Sequence, residues 1–257
     1  MNLITEIDNY LLKEREHKDR NSYYPSEASK CMRQLYYKWT NHKASNPIEA
    51  GGIWKMRMGD AAHDMIHEFL VACGFEIINE VAFKKDVGLK YPISGRIDNV
   101  FIDVDGVVSG IEVKSSYGAG IKNIQRSGKP KYDDLSQVSV YMGCTDIKRF
   151  YLIYFGRDNA YRTQFVIDSI PIPFYSLIDR FRMLEYYVTN NIIPGRDYKV
   201  AIKNGEIRDK FQKDNKEYRS NWQCLYCSHK DFCWQEVVGE LKTGDNSDTF
   251  GEVDAKE

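Results

Sequence analysis

No stretch of this 257-residue chain stays apolar for the roughly 18 residues that a bilayer span needs. Residues 1 to 20 are rich in acids, where an export signal would be basic and then apolar. Internal repeats and long low-complexity linkers are missing too, which excludes a repeat array. There is no excess of charge of one sign: 36 basic residues stand against 37 acidic ones, so a uniformly basic surface is excluded. The imbalance is local. Residues 239–257 carry Glu240, Asp245, Asp248, Glu252, Asp254 and Glu257 against Lys242 and Lys256, which leaves a small positive excess upstream. What is present is enough for a core: 42% hydrophobic and 13% aromatic residues. Without an export signal the expected location is the cytoplasm, bacterial or that of a host if phage-encoded. There the six cysteines are reduced and open to metal binding or chemistry.

Apolar residues at helical spacing predict helices over Asn2–Arg20, Glu27–Trp39 (with Cys31 inside it), Gly59–Cys73, Asp134–Met142 and Phe174–Val188, with Gly74 as a stop. The period changes to two from Phe75, through Ile93–Val104 and Val107–Ser115 around an Asp105-Gly106 turn. A further hairpin is expected around Asp158-Asn159, and Tyr117–Lys131, rich in Gly, Ser and Lys, reads as a loop. Beyond Phe174–Val188 the chain is polar until the cysteine cluster at 224–233. The order predicts a mixed α/β core: one domain over 1–238, with its centre at about 53–190, cysteine-bearing arms at about 22–45 and 191–238, and a flexible acidic tail at 239–257.

Glu112 and Lys114 lie two apart on a strand and share a face, opposite Ile111 and Val113. A two-residue Asp105-Gly106 loop would put Asp98 and Glu112 on opposite faces. A three-residue loop, Val104-Asp105-Gly106 with Gly106 left-handed, sets 98 across from 112, and this is the expected register. Two facing carboxylates repel unless a cation lies between them, and oxygen ligands of this kind suit Mg²⁺ or Mn²⁺. Such an ion brings phosphodiester hydrolysis within reach, with Lys114 near the attacking water and the developing charge. Alternating acids and a lysine are also what an ordinary solvated strand face carries.

Asp98 with Gly95 before it, followed by Glu112-Val113-Lys114, resembles the PD-(D/E)xK nuclease signature. Gln137-Val-Ser-Val-Tyr141 is similar to the Q-x-x-x-Y helix motif of the RecB-type branch, and Gly59-Asp-Ala-Ala-His63 to its G-x-x-x-H motif. The resemblance, over Ser26 to Cys233, implies a restriction-endonuclease-like core with a mixed central sheet flanked by helices. It implies metal held by His63, Asp98, Glu112 and the Val113 backbone carbonyl, Lys114 as the catalytic lysine, and Gln137 and Tyr141 in support. The implied activity is that of a metal-dependent DNA exonuclease, similar to CRISPR-associated RecB-like and phage-type exonucleases, working in recombination, replication or CRISPR-type machinery and not at a membrane. The His63-Asp-Met-Ile-His67 spacing also fits a zinc-protease helix, although Asp64 stands where that chemistry uses a glutamate.

Cys224, Cys227 and Cys233 form C-x2-C-x5-C, with Cys31 far upstream. Four thiolates suit zinc or an iron–sulfur cluster, and ligand number leaves both open. The CRISPR-associated RecB-like exonucleases have one cysteine before the core and three after it, so the resemblance implies a 4Fe-4S cluster on Cys31, Cys224, Cys227 and Cys233. His229 is an alternative ligand ranked below them. Trp222, Phe232 and Trp234 are expected to shield the cluster, and Cys73 and Cys144 to be buried, inert thiols.

Lys122, Arg126, Lys129 and Lys131, with no acid among them, are candidate phosphate contacts for single-stranded DNA. Lys30, Arg33 and Lys38 interleave with Tyr36, Tyr37 and Trp39 as a second candidate surface, where aromatics could stack on unpaired bases. A rival from another class is a nucleic-acid-binding or assembly subunit that uses the nuclease fold with weak or no catalysis.

Overall fold

Asp103 directs the central hairpin. Its Oδ1 accepts from the amides of Asp105 (2.9 Å) and Val107 (3.0 Å), and Gly106 turns at φ +75°. Only glycine takes that left-handed φ freely, so the chain reverses over Val104-Asp105-Gly106 and strands β2 (Ile93–Ile102) and β3 (Val108–Ser116) pair with Ile102 opposite Val108 and Asn99 opposite Ile111. This is the three-residue register expected from the sequence.

A computed structural model describes residues 2–13, 20–213, 215–235 and, as backbone, 250–253. The rest of the expected acidic tail lies outside the described residues. The chain divides into two compact units, Met1–Ser29 with Glu49–Arg182 and Lys30–Ile48 with Met183–Glu257.

The first unit is a five-stranded mixed sheet in the order β1-β2-β3-β4-β5, with β1 Ile77–Lys85, β4 Arg149–Gly156 and β5 Arg162–Ile167. Only β3 and β4 run parallel, which requires a crossover. Helices α4 (Gly118–Ser127) and α5 (Tyr132–Cys144) provide it. Helix α1 is Leu3–Lys13 and α2, in the second unit, is Met32–Trp39. On one side of the sheet, Ile66 and Leu70 of α3 (Ala50–Ala72) pack on Phe101, Ile111 and Val113. In another cluster, Val138, Tyr141 and Met142 of α5 pack with Ile97, Val100 and Phe150, while Ile121 and Ile124 of α4 pack with Leu152 and Tyr154. A Cβ at Gly110 would run into the Phe150 ring, so close approach explains that glycine.

Three expectations are corrected here. Tyr117–Lys131 is mostly helix: Ile121 and Ile124 are one turn apart and both buried, and Gly128 ends the helix at φ +62°. The expected Glu27–Trp39 helix is a 3₁₀ turn at Pro25–Glu27 and then α2, with Cys31 at its N-cap. Helix α3 begins nine residues before the expected Gly59, because Gly51 and Gly52 do not prevent Ala50 from starting it. Gly74, at φ +87°, follows its last turn as expected.

The second unit resumes within α6 (Phe174–Thr189) and builds a sheet in the order β10-β6-β7, from Phe250–Val253, Val200–Lys203 and Glu206–Arg208. A separate hairpin pairs β8 (Lys210–Lys213) with β9 (Lys216–Arg219), and the short helix α7 is Trp222–Leu225. The polar region after α6 therefore holds four short strands between 200 and 219. Val200, Ala201 and Ile202 are all fully buried, and Trp234 packs against Val200 and Ile202. The 30–48 segment is tied in by Met32 N to Asp197 Oδ2 (2.9 Å), Tyr36 OH to Asn191 Oδ1 (2.9 Å) and Asn46 Nδ2 to Cys227 O (3.1 Å).

Candidate active site and cysteine site

The β2–β3 ladder stops at Asn99–Ile111, and the next step of the register sets 98 across from 112. There the Val113 amide donates to Asp98 Oδ2 at 2.7 Å. His63 Nδ1, from α3, lies 3.4 Å from the same oxygen. This contact with Asp98 holds the imidazolium, raising the His63 pKa against the effect of burial.

One residue further along, Lys114 Nζ lies 2.6 Å from Glu112 Oε1 and donates to Gln137 Oε1 at 2.8 Å. Gln137 Nε2 donates to Glu112 Oε1 (2.8 Å) and to Tyr141 OH (2.7 Å), and Tyr141 OH donates to Arg96 O (3.0 Å). One turn of α5 separates Gln137 from Tyr141, so both reach the same strand end. Glu112 is 2% exposed, and its Oε2 is buried with no hydrogen-bond partner. Burial pushes its carboxyl up to about 7, with Lys114 opposing and the Asp98 charge adding to the rise. Burial works against the Lys114 ammonium, but the Glu112 charge outweighs it and the lysine pKa is raised.

These groups line a cleft of about 380 Å³. Asp60 and Asp64 of α3, Glu80 of β1, Arg96 and the Tyr24–Ser26 segment also line it, and sequence reasoning missed them. Asp60 and Asp64 were legible in principle, being one turn apart and flanking His63. Glu80 was not: it lies between the Asn79–Asn99 and Val81–Ile97 pairs, at φ +54°, and no turn residue announces it. His67, left without a role by the sequence, bonds Asn99 Oδ1 through Nδ1 at 2.7 Å.

Among the described residues, no three His, Cys, Asp or Glu side chains close tightly enough to hold a metal ion. The donor set still fits a hard divalent cation. It offers a buried carboxylate oxygen with no partner, a second carboxylate whose charge disfavours ionisation of the first, and an imidazole beside them, all on one cleft.

In the second unit Cys31, Cys224, Cys227 and Cys233 come close enough for their charges to interact. Burial first, then the other three cysteines, push Cys224 up to about 12, and burial with Cys31 and Cys233 raises Cys227 to about 11. Thiols held this way ionise readily only when a cation joins them, so the set fits a thiolate-bound metal or cluster. His229 is 3% exposed, and both ring nitrogens are engaged, Nε2 with His42 O (3.2 Å) and Nδ1 with Ser228 Oγ (3.0 Å). Of the three expected shielding aromatics only Trp234 is buried; Trp222 and Phe232 are 58% and 42% exposed. Cys73 is exposed rather than buried, while Cys144 is buried as expected, its thiol raised to about 11 by desolvation.

Lys122 and Arg126 stand on the exposed face of α4, and Lys129 and Lys131, just after it, are exposed too. The second candidate surface is corrected. Tyr36 is 2% exposed and Tyr37 3%, both part of the core, which leaves Tyr36 no open ring face for a base. Arg33 is half-buried, with Nε donating to Pro194 O at 2.6 Å.

No family model and no curated protein matches the chain. Solved structures do. One is the crystal structure of SSO0001, at 19% identity and a TM-score of 0.55, covering 89% of this chain and 94% of that one. Another is LHK-Exo in complex with dAMP, at 14% identity and a TM-score of 0.50, covering 73% and 95%. The alkaline exonuclease LHK-Exo from Laribacter hongkongensis also matches on its own, at 14% identity, a TM-score of 0.48 and coverage of 67% and 92%. The chain thus shares its overall fold with SSO0001 and with LHK-Exo.

Proposed function

We propose that this chain is a metal-dependent deoxyribonuclease that hydrolyses phosphodiester bonds at single-stranded DNA ends. The observation that carries the reading is the arrangement of Lys114, Glu112 and Gln137 at the floor of the cleft, with Glu112 Oε2 left without a partner. His63, Asp98, Glu112 and the Val113 carbonyl would hold Mg²⁺ or Mn²⁺, which polarises a phosphoryl oxygen and lowers the pKa of bound water. Lys114 offsets charge developing on the phosphate and orients the attacking water. Gln137 fixes the ammonium and Tyr141 fixes Gln137, whose two amide hydrogens and carbonyl oxygen are all used. The exposed cations of α4 and the residues after it give the phosphate backbone its counter-charge. A neighbour of the same fold that holds dAMP supports a nucleotide substrate. Among the described residues no helix is long and apolar enough to cross a membrane.

Cys31, Cys224, Cys227 and Cys233 would hold a 4Fe-4S cluster that cross-links segments far apart in the chain, a structural role. The test of catalysis is labelled single-stranded DNA incubated with Mn²⁺, with and without chelator, for the native chain and Lys114→Ala. Metal-dependent products that the substitution abolishes are expected. DNA binding without cleavage would replace this reading with that of a binding subunit.

A further inference from the structure

The cleft has one aromatic on its rim that the chemistry above does not use. Tyr24 is 40% exposed and lines the cleft, although Tyr23, Pro25 and Glu27 around it are all buried. Its backbone is fixed from both sides. Tyr23 N donates to Pro92 O (2.9 Å), Ser94 N donates to Tyr23 O (2.9 Å), and the Tyr23 ring stacks on Phe181 at 5.0 Å. On the other side Pro25 restricts the residue before it to extended conformations, and Tyr24 sits at φ −111°, ψ 138°. The Arg20 guanidinium lies 6.0 Å from the centre of the Tyr24 ring and is itself gripped by both Glu27 carboxylate oxygens, at 3.0 and 2.9 Å. One ring face therefore has a cation over it, and the exposed remainder borders the cleft.

We infer that Tyr24 is a stacking platform for an unpaired nucleobase next to the phosphate held at Lys114; this rests on the proposed nuclease reading and adds a specificity residue to it. An anchored aromatic costs little to order and accepts any base, because every base has a π-face. A base inside a duplex has both faces already stacked on its neighbours, so a platform at this point favours a strand whose terminal bases are free. Arg20 strengthens the platform: a guanidinium over one face of the ring holds it in place.

The test scans an abasic site along a single-stranded oligonucleotide and measures binding in the presence of chelator, so that no cleavage is needed. For the native chain one abasic position should weaken binding by roughly tenfold to a hundredfold, the worth of one stacked base. Tyr24→Ala should lose that position-specific penalty, Tyr24→Phe should keep it, and penalties elsewhere on the strand should not change. In Mn²⁺, Tyr24→Ala should raise KM for single strands with a smaller effect on kcat. An unchanged penalty in Tyr24→Ala overturns the inference. Failure of the native chain to cleave in Mn²⁺, with the penalty still dependent on Tyr24, would overturn the nuclease reading and leave the platform standing.

Discussion

Gln137 reaches from helix α5 to the Lys114 ammonium, its Oε1 accepting from Nζ at 2.8 Å while its Nε2 donates to the Glu112 carboxylate that the lysine also touches. The lysine is thus held between an amide and an acid. Gln137→Ala should release it and leave Tyr141 OH without its donor. The expected result is a fall in kcat of about 10- to 100-fold, the usual cost of losing a supporting hydrogen bond beside a reactive group, with little change in KM. Tyr141→Phe should cost less, because Gln137 keeps its bond to Glu112. Steady-state kinetics on a single-stranded substrate separate the two, and a rise in KM at constant kcat would contradict the positioning role.

Glu112 in the metal-free protein has its carboxyl pushed up to about 7 by burial, so it is protonated below neutrality. A cation must displace that proton. Binding of Mn²⁺ should therefore release protons, from Glu112 and from the His63 imidazolium that Asp98 stabilises, and tighten as pH rises. The same shift gives a sign for stability. The folded pKa lies above the ordinary 4.5, so this group's contribution is fully present below 4.5 and is lost as pH rises toward about 7. Subtracting the thermal stability of Glu112→Gln from that of the native chain at each pH, both without metal, isolates this slope. Calorimetric titration in buffers of different ionisation enthalpy counts the protons. A flat stability difference across this pH range would show that Glu112 is ionised throughout.

The hairpin that carries the site was legible because few local choices fix it: an Asp-Gly turn, a residue count and the alternation of strand faces. Gly74 as a helix stop was legible for the same reason. Helix α4 was not, since Gly118, Gly120 and Ser127 mark a loop by composition and only two isoleucines reveal the buried stripe. The strands at Val200–Arg219 are three or four residues long, too short for alternation to show. Tyr36 and Tyr24 show the limit of aromatic content as a guide. Each belongs to a Tyr-Tyr pair with a charged residue within three positions, yet tertiary packing buries one and exposes the other.

Asp103 supports the register at a distance from the chemistry. Besides two turn amides it accepts from Ser109 Oγ (2.8 Å) and Arg149 Nη1 (2.8 Å), and the same guanidinium reaches Asp105 (2.6 Å) and Asp168 (2.5 Å). Burial alone would raise the Asp103 carboxyl, but Arg149, Ser109 and the turn amides outweigh it and hold the group well below the usual carboxylate range. A depressed folded pKa means that its stabilisation is present above the ordinary value and is lost as pH falls through the folded one. Asp103→Asn should lower Tm at neutral pH, with the gap to the native chain closing in strong acid. Because the turn sets Asp98 across from Glu112, the variant should also lose cleavage at temperatures where it remains folded. Equal Tm values at pH 7 would remove Asp103 as the register pin.

The four gathered cysteines allow the two metal readings to be separated directly. A 4Fe-4S cluster gives broad visible absorbance and equal amounts of iron and acid-labile sulfide, whereas zinc gives a colourless protein with one metal per chain. Anaerobically purified protein should be brown. Cys224→Ser should lose the colour and lower Tm, because with one ligand missing the cation is lost, and the Cys227 thiol, raised by burial and by Cys31 and Cys233, is left without the charge that would keep it ionised. His229→Ala should keep the colour, since both of its ring nitrogens are already engaged by His42 O and Ser228 Oγ. A colourless native chain with one zinc would overturn the cluster, and a His229→Ala variant that loses colour while Cys224→Ser keeps it would overturn the ligand set. Cys73→Ser serves as the control: its thiol is exposed, and neither colour nor Tm should move.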